Sequence, residues 1–126
     1  MHRARVGRIG DKDPILVIVP EWCNLILDHE KTMEIRSIPC TDKVGKEIWL
    51  AMSGTSKVYG RARVKACHGP MSKSQWELFR PLHLVPGKRF YGARTHGWEL
   101  VDVRRCAPKP IVRKNGAVIF QIGPGR

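Results

Sequence analysis

The sequence predicts an α+β domain, a small and mostly antiparallel β-barrel flanked by two or more helices, and three observations predict it. Lys57 to Cys67 alternates cleanly, with Val58, Gly60, Ala62, Val64 and Ala66 on one face and Lys57, Tyr59, Arg61, Arg63 and Lys65 on the other. Other apolar runs of strand length follow one another with turn residues between them, not helical crossovers. Helical spacing is confined to two short stretches, near residues 20–30 and from about residue 72. At 126 residues the chain suits one core and one domain, with residues 1–13 as a basic arm and 14–126 as the domain.

In order, Arg3, Arg5, Arg8 and Lys12 with little apolar company make a loosely held arm. Ile15 to Val19, bounded by Pro14 and Pro20, is a buried strand. Pro20 and Glu21 suit a helix N-terminus, and Trp22, Leu25, Ile26 and His29 fall at i, i+3, i+4 and i+7, so this first helix should bury Trp22, Leu25 and Ile26. The period changes to two near Lys31, giving a strand over residues 32–38 that forms a hairpin with Ile48 to Met52 through the polar stretch around Gly45. Ser53 to Ser56 is a turn into the alternating strand, whose small inward residues imply a bulky neighbour such as Trp22 or Trp49.

Ser72-x-x-Gln75 and Ser74-x-x-Glu77 both have capping-box form, so a second helix begins near 72 and runs to Pro81. Arg89 to Arg94 and Gly97 to Val103 read as strands, Ala107 to Pro110 as a break, and Asn115-Gly116 as the turn before a last strand, Ala117 to Ile122.

The charge narrows the partners. Twenty-three Lys and Arg against eleven Asp and Glu leave a net +12, which favours a polyanion. Nucleic acid fits better than a membrane, since no basic amphipathic helix and no apolar stretch near ~20 residues is present. Cys23, Cys40, Cys67 and Cys106 are widely spaced and match no metal-ligand pattern, so reduced thiols in the cytoplasm and no metal or cofactor are expected. The phosphate-binding loop, nucleophile-elbow and zinc-protease motifs are absent, and His29, His68, His83 and His96 are scattered. They read as ordinary surface or core histidines.

The candidate site lies where helix gives way to strand. Lys31, Glu34 and Arg36 bring two cations and a carboxylate into a small space able to hold a phosphate or a base edge. The alternative is that Glu34 and Arg36, two apart on one strand face, only support the sheet. The outward row of the alternating strand is a basic stripe with one aromatic: Arg61 and Arg63 would track phosphates while Tyr59 stacks on a base, or the row is a solvated face.

The stretch His29-Glu30-Lys31-Thr32-Met33-Glu34-Ile35-Arg36 resembles the signature Gly-x-Lys-x-x-Glu-x-Arg of the ASCH domain, in the PUA-like superfamily. Ile48-Trp49-Leu50-Ala51, the strand Val58 to Val64 with its central glycine, and Gly97-Trp98-Glu99-Leu100 extend the resemblance from Ile15 to about Ile122. It implies a cleft between barrel and first helix with the signature pointing in, and binding of RNA or other single-stranded nucleic acid, including a modified nucleotide. On that basis Lys31 and Arg36 supply positive charge, Glu34 accepts from base amino groups or orients Arg36, Ser53 and Thr55 add hydroxyls at the rim, and Trp98 or Tyr91 offers a stacking surface. Some relatives hydrolyse N-acylated cytidine with a threonine nucleophile where this chain has Glu34. Lys31 and Glu34 are then the alternative catalytic pair, Glu34 as general base and Lys31 as oxyanion partner, for an amidohydrolase or a ribonuclease. The signature glycine is His29, which costs roughly 1 kcal/mol if the helix closes with a left-handed residue there.

Overall fold

A computed structural model describes residues 6–10, 12–111 and 120–121. Its six strands form a single mixed sheet in the order β2-β5-β4-β3-β1-β6, a half-barrel with three α-helices. The strands are β1 (Ile15–Ile18), β2 (Met33–Arg36), β3 (Glu47–Met52), β4 (Lys57–His68), β5 (His96–Pro110) and β6 (Phe120–Gln121); the helices are α1 (Pro20–Leu27), α2 (Lys73–Leu78) and α3 (Arg80–His83). The expected α+β class holds. Three of the five pairings are antiparallel, while β1 runs parallel to β3 and β6. The Asn115-Gly116 turn and most of the expected last strand lie outside the described residues.

The first helix-to-strand junction shows how sequence becomes geometry. Pro20 opens α1, where its missing N–H and fixed φ cost nothing, and Glu21 faces the positive end of the helix. The helix closes after Leu27 in a Schellman arrangement: the Glu30 N–H donates to the Leu25 carbonyl at 2.9 Å and the His29 N–H to Ile26 at 3.0 Å. His29 has φ +64 and is exposed, so the left-handed position is filled by an ordinary residue and the side chain points to solvent. The Lys31 N–H donates to Leu25 as well, at 3.0 Å, turning the chain straight into β2.

Trp22, Cys23, Ile26 and Leu27 are buried on α1, with Leu25 only half-buried. A Cβ added at Gly60 would lie 2.4 Å from Leu27 Cδ2 and 2.6 Å from the Arg104 carbonyl, so the close neighbour of β4 is Leu27 and the backbone of β5, not a tryptophan. Trp49 is instead at the centre of a second small cluster with Ile15, Ala51 and Val58, its Nε1 donating to Asp13 at 3.0 Å.

Several elements differ from expectation. β2 does not form a hairpin with β3; it pairs antiparallel with β5, because the 37–46 connection carries a short 3-10 turn (Thr41–Lys43) and delivers the chain to β4 and β1. Arg89 to Arg94 is no strand and ends in a 3-10 turn (Gly92–Arg94). β5 runs on through Pro108 and Pro110, since beyond Glu99 it has left β2 behind and only its β4 side needs donors. The second helix splits at Phe79, and of the two capping boxes only Ser72 with Gln75 forms. The described part of the arm is tied down rather than loose: the Val6 carbonyl accepts from Arg61 at 2.9 Å, and Gly7 from Lys109 at 2.6 Å.

Candidate functional site

Lys31, Glu34 and Arg36 do come together, and they do so inside the protein. Lys31 and Glu34 are 0 % exposed and Arg36 is 3 % exposed. Arg36 donates through Nε to Glu34 Oε2 at 3.0 Å and through Nη2 to the Val17 carbonyl at 2.5 Å. Since β2 lies at one end of the strand order and β1 near the other, this guanidinium spans the mouth of the half-barrel. Glu34 is thus paired with Arg36 on the same strand.

Lys31 Nζ donates to the His83 carbonyl on α3 at 2.6 Å and lies 4.8 Å from the Trp22 ring centroid, a cation over an aromatic face. Burial pushes the Lys31 pKa down to about 8, against the pull of the Glu34 carboxylate and with the help of Arg36. Burial likewise pushes the Glu34 carboxyl up, opposed by Arg36 and then Lys31. Glu34 Oε1 and Trp22 Nε1 are buried with no hydrogen-bond partner. The cluster thus leaves one buried acceptor and one buried donor that a further polar group could satisfy.

His83 and Trp22 belong to this cluster and were not singled out in the sequence as site residues. His83 is fully buried; its Nε2 donates to the Trp76 carbonyl at 2.9 Å and its Nδ1 accepts from the Val85 N–H at 2.9 Å, fixing the neutral tautomer. Burial also lowers its pKa. No local pattern marks such a residue, because what matters is its backbone carbonyl.

The other expected site residues fall elsewhere. Trp98 is a correction: it is 1 % exposed, a core residue whose Nε1 donates to the Ile38 carbonyl at 3.0 Å, so it presents no stacking face. Thr55 Oγ1 is committed to its own turn, donating to the Met52 carbonyl at 2.7 Å and accepting from the Lys57 N–H at 3.1 Å. Ser53 is half-buried at the end of β3, its N–H donating to Ile18 at 2.9 Å. Tyr59 is half-buried and packs on the main core.

The basic row is engaged within the chain. Arg61 sits 4.6 Å over the Trp49 ring and 3.5 Å from Glu47; Arg63 donates to the Gly45 carbonyl at 2.7 Å and lies 3.5 Å from Asp102; Lys65 lies 3.5 Å from Glu99. No group of histidine, cysteine and carboxylate side chains able to hold a metal occurs among the described residues. No helix among them is long and apolar enough to cross a membrane.

A curled mixed sheet with α1 packed on β3 and β5 and a buried Lys-Glu-Arg cluster at the α1–β2 junction can be compared with solved structures. The crystal structure of ASCH from Zymomonas mobilis is similar over 80 % of this chain and 76 % of that chain, with TM-score 0.64 and 18 % identity. A serine-to-alanine variant of the ASCH protein from that organism gives TM-score 0.63 at 20 % identity, covering 81 % of this chain and 77 % of that one. This is the ASCH fold. No protein-family model and no curated protein matches the sequence. The backbone likeness persists where few side chains coincide, so the ASCH fold is carried here by pattern and packing more than by identity.

Proposed function

We propose that this protein is a nucleic-acid-binding module, for RNA or another single strand, that takes one base, ordinary or modified, against Lys31, Glu34 and Arg36. The observation that carries the reading is Glu34 Oε1, a carboxylate oxygen fully buried and without a hydrogen-bond partner. A base edge with an exocyclic amino group next to a ring nitrogen, as in cytosine or adenine, would donate to Glu34 Oε1 and accept from Trp22 Nε1. The net charge of +12 supplies the long-range attraction for a polyanion. Because the three side chains are enclosed, a base enters only when α3, a four-residue helix holding Lys31 through the His83 carbonyl, moves aside. All four cysteines are free thiols, which suits the cytoplasmic setting this reading assumes.

The test is fluorescence anisotropy with labelled single-stranded RNA and the variants Lys31→Met and Glu34→Gln, each first checked for its fold by circular dichroism. Loss of affinity by about tenfold or more is expected from each folded variant, the usual scale of a lost buried polar contact. Wild-type affinity in both would overturn the reading.

A second reading, hydrolysis of N-acylated cytidine, is favoured by the burial that pushes the Glu34 carboxyl up, the direction a general base needs, with Lys31 as the oxyanion partner. It predicts release of acetate from N-acetylcytidine, lost in Glu34→Gln. No release from the wild-type protein would dismiss it.

A further inference from the structure

A concave volume of about 550 Å³ opens away from the signature cluster, between α2 and α3 on one side and the segment around Gly87 to Gly92 on the other. Four cations, Lys73, Arg80, Lys88 and Arg89, line it against a single carboxylate, Glu77. Glu77 is already neutralised: Arg80 Nη2 donates to its Oε1 at 2.6 Å and its Oε2 at 2.5 Å, which holds the Glu77 carboxyl below the usual range. The same Nη2 donates to the Gly87 carbonyl at 2.8 Å, so Arg80 fastens one wall to the other. Arg89 is anchored through Nη1 to the Met71 carbonyl at 2.8 Å. Lys73 and Lys88 are exposed and have no ion-pair partner among the described residues.

The aromatic in the wall decides what kind of group this cleft suits. Trp76 is 2 % exposed, stacked on His83 with ring centroids 3.8 Å apart and with the Arg80 guanidinium 5.8 Å from its ring. No face is left for a base to stack on, so aromatic recognition is closed while positive charge remains open. A surplus of cations in a concave space without an aromatic platform matches a phosphate group, which needs charge and donors but no stacking.

We infer that this cleft is a phosphate subsite that takes the backbone of a single-stranded nucleic acid, an inference that rests on the base-binding reading of the Lys31 cluster and extends it to the strand. The two places are joined through one residue: His83 stacks on Trp76 in the cleft wall, and its carbonyl receives Lys31 Nζ. The cleft positions the strand; the buried cluster holds the base.

The experiment uses the full chain and the double variant Lys73→Ala/Lys88→Ala, whose two side chains are exposed and unpaired, with circular dichroism as the check on folding. Anisotropy of fluorescein-labelled oligouridylate and oligoadenylate RNA is followed over a salt series, with Lys31→Met in parallel. The double variant is expected to lose about tenfold in affinity on both sequences alike, and its log K against log salt slope to become shallower by about 1.4, two contacts at ~0.7 each for a single strand. Unchanged affinity and slope, or a loss on one sequence only, would overturn the subsite. Loss in the double variant with Lys31→Met binding normally keeps the subsite and removes the base-binding reading; the reverse pattern keeps that reading and removes the subsite. No RNA binding by the wild-type protein overturns both.

Discussion

The stretch from Lys31 to Arg36 and the outward row of β4 are alike on paper, each an alternating strand rich in lysine and arginine with carboxylates to answer them. In the protein they are opposites. Lys31, Glu34 and Arg36 are enclosed, two of them bonded to backbone carbonyls on α3 and β1, whereas Arg63 and Lys65 lie over the surface 3.5 Å from their carboxylates. Desolvation multiplies the consequence of every charge in the first group, and water screens it in the second. The same residue types thus set the geometry and proton affinity of a candidate site in one place, and contribute little beyond solubility and local pairing in the other.

The comparison can be broken or sharpened by substitution. Arg36→Ala leaves the Glu34 carboxylate buried and unpaired and opens the link to Val17, so thermal or urea unfolding should show a loss of about 3–5 kcal/mol. A cost below ~1 kcal/mol would make the cluster energetically equivalent to the surface row.

The next effect is in pH. Lys31 has its folded pKa lowered from 10.5 to about 8, so between those values the unfolded chain holds one proton more than the folded chain. Stability contributed by this residue therefore rises with pH from about 8 to about 10.5 and is flat below 8, where both states are protonated. The rise, on the order of 3 kcal/mol, should appear as the difference between wild type and Lys31→Met in unfolding series across that range.

Gly60→Ala would force a Cβ to within 2.6 Å of the Arg104 carbonyl and 2.4 Å of Leu27, and a destabilisation of about 1–3 kcal/mol is expected by urea titration. His29→Gly should act in the other direction, stabilising by about 1 kcal/mol because the left-handed position no longer carries a side chain. Smallest of all, Lys65→Ala should change stability by no more than ~0.5 kcal/mol, with His68 Nε2 still donating to Glu99 Oε1 at 2.8 Å.

Much of the fold was legible where the pattern is local. The helix start at Pro20, the change of period near Lys31, the alternation along β4 and the Ser72–Gln75 cap are all readable because each is decided by neighbours within a few residues. The pairing of β2 with β5 was not, since sixty residues separate them and nothing in either strand names its partner. For the same reason Trp98 read as a candidate stacking surface: its burial depends on the chain at Ile38, to which its ring nitrogen donates. The candidate triad was legible as a grouping, but its depth and its contacts with His83 and Val17 were not.

By itself the sequence determined a basic chain of α+β class, with an amphipathic first helix, a long alternating strand and three charged residues clustered at the junction between helix and sheet. Periodicity, proline and charge count act over short spans of chain and need no partner to be read. Only the tertiary structure decided that β1 and β2 approach across a curled sheet, that Arg36 closes the space between them, and that Lys31 is buried under α3 with its proton loosened. Those outcomes depend on which distant segments exclude water together, and exclusion of water is a property of the packed whole.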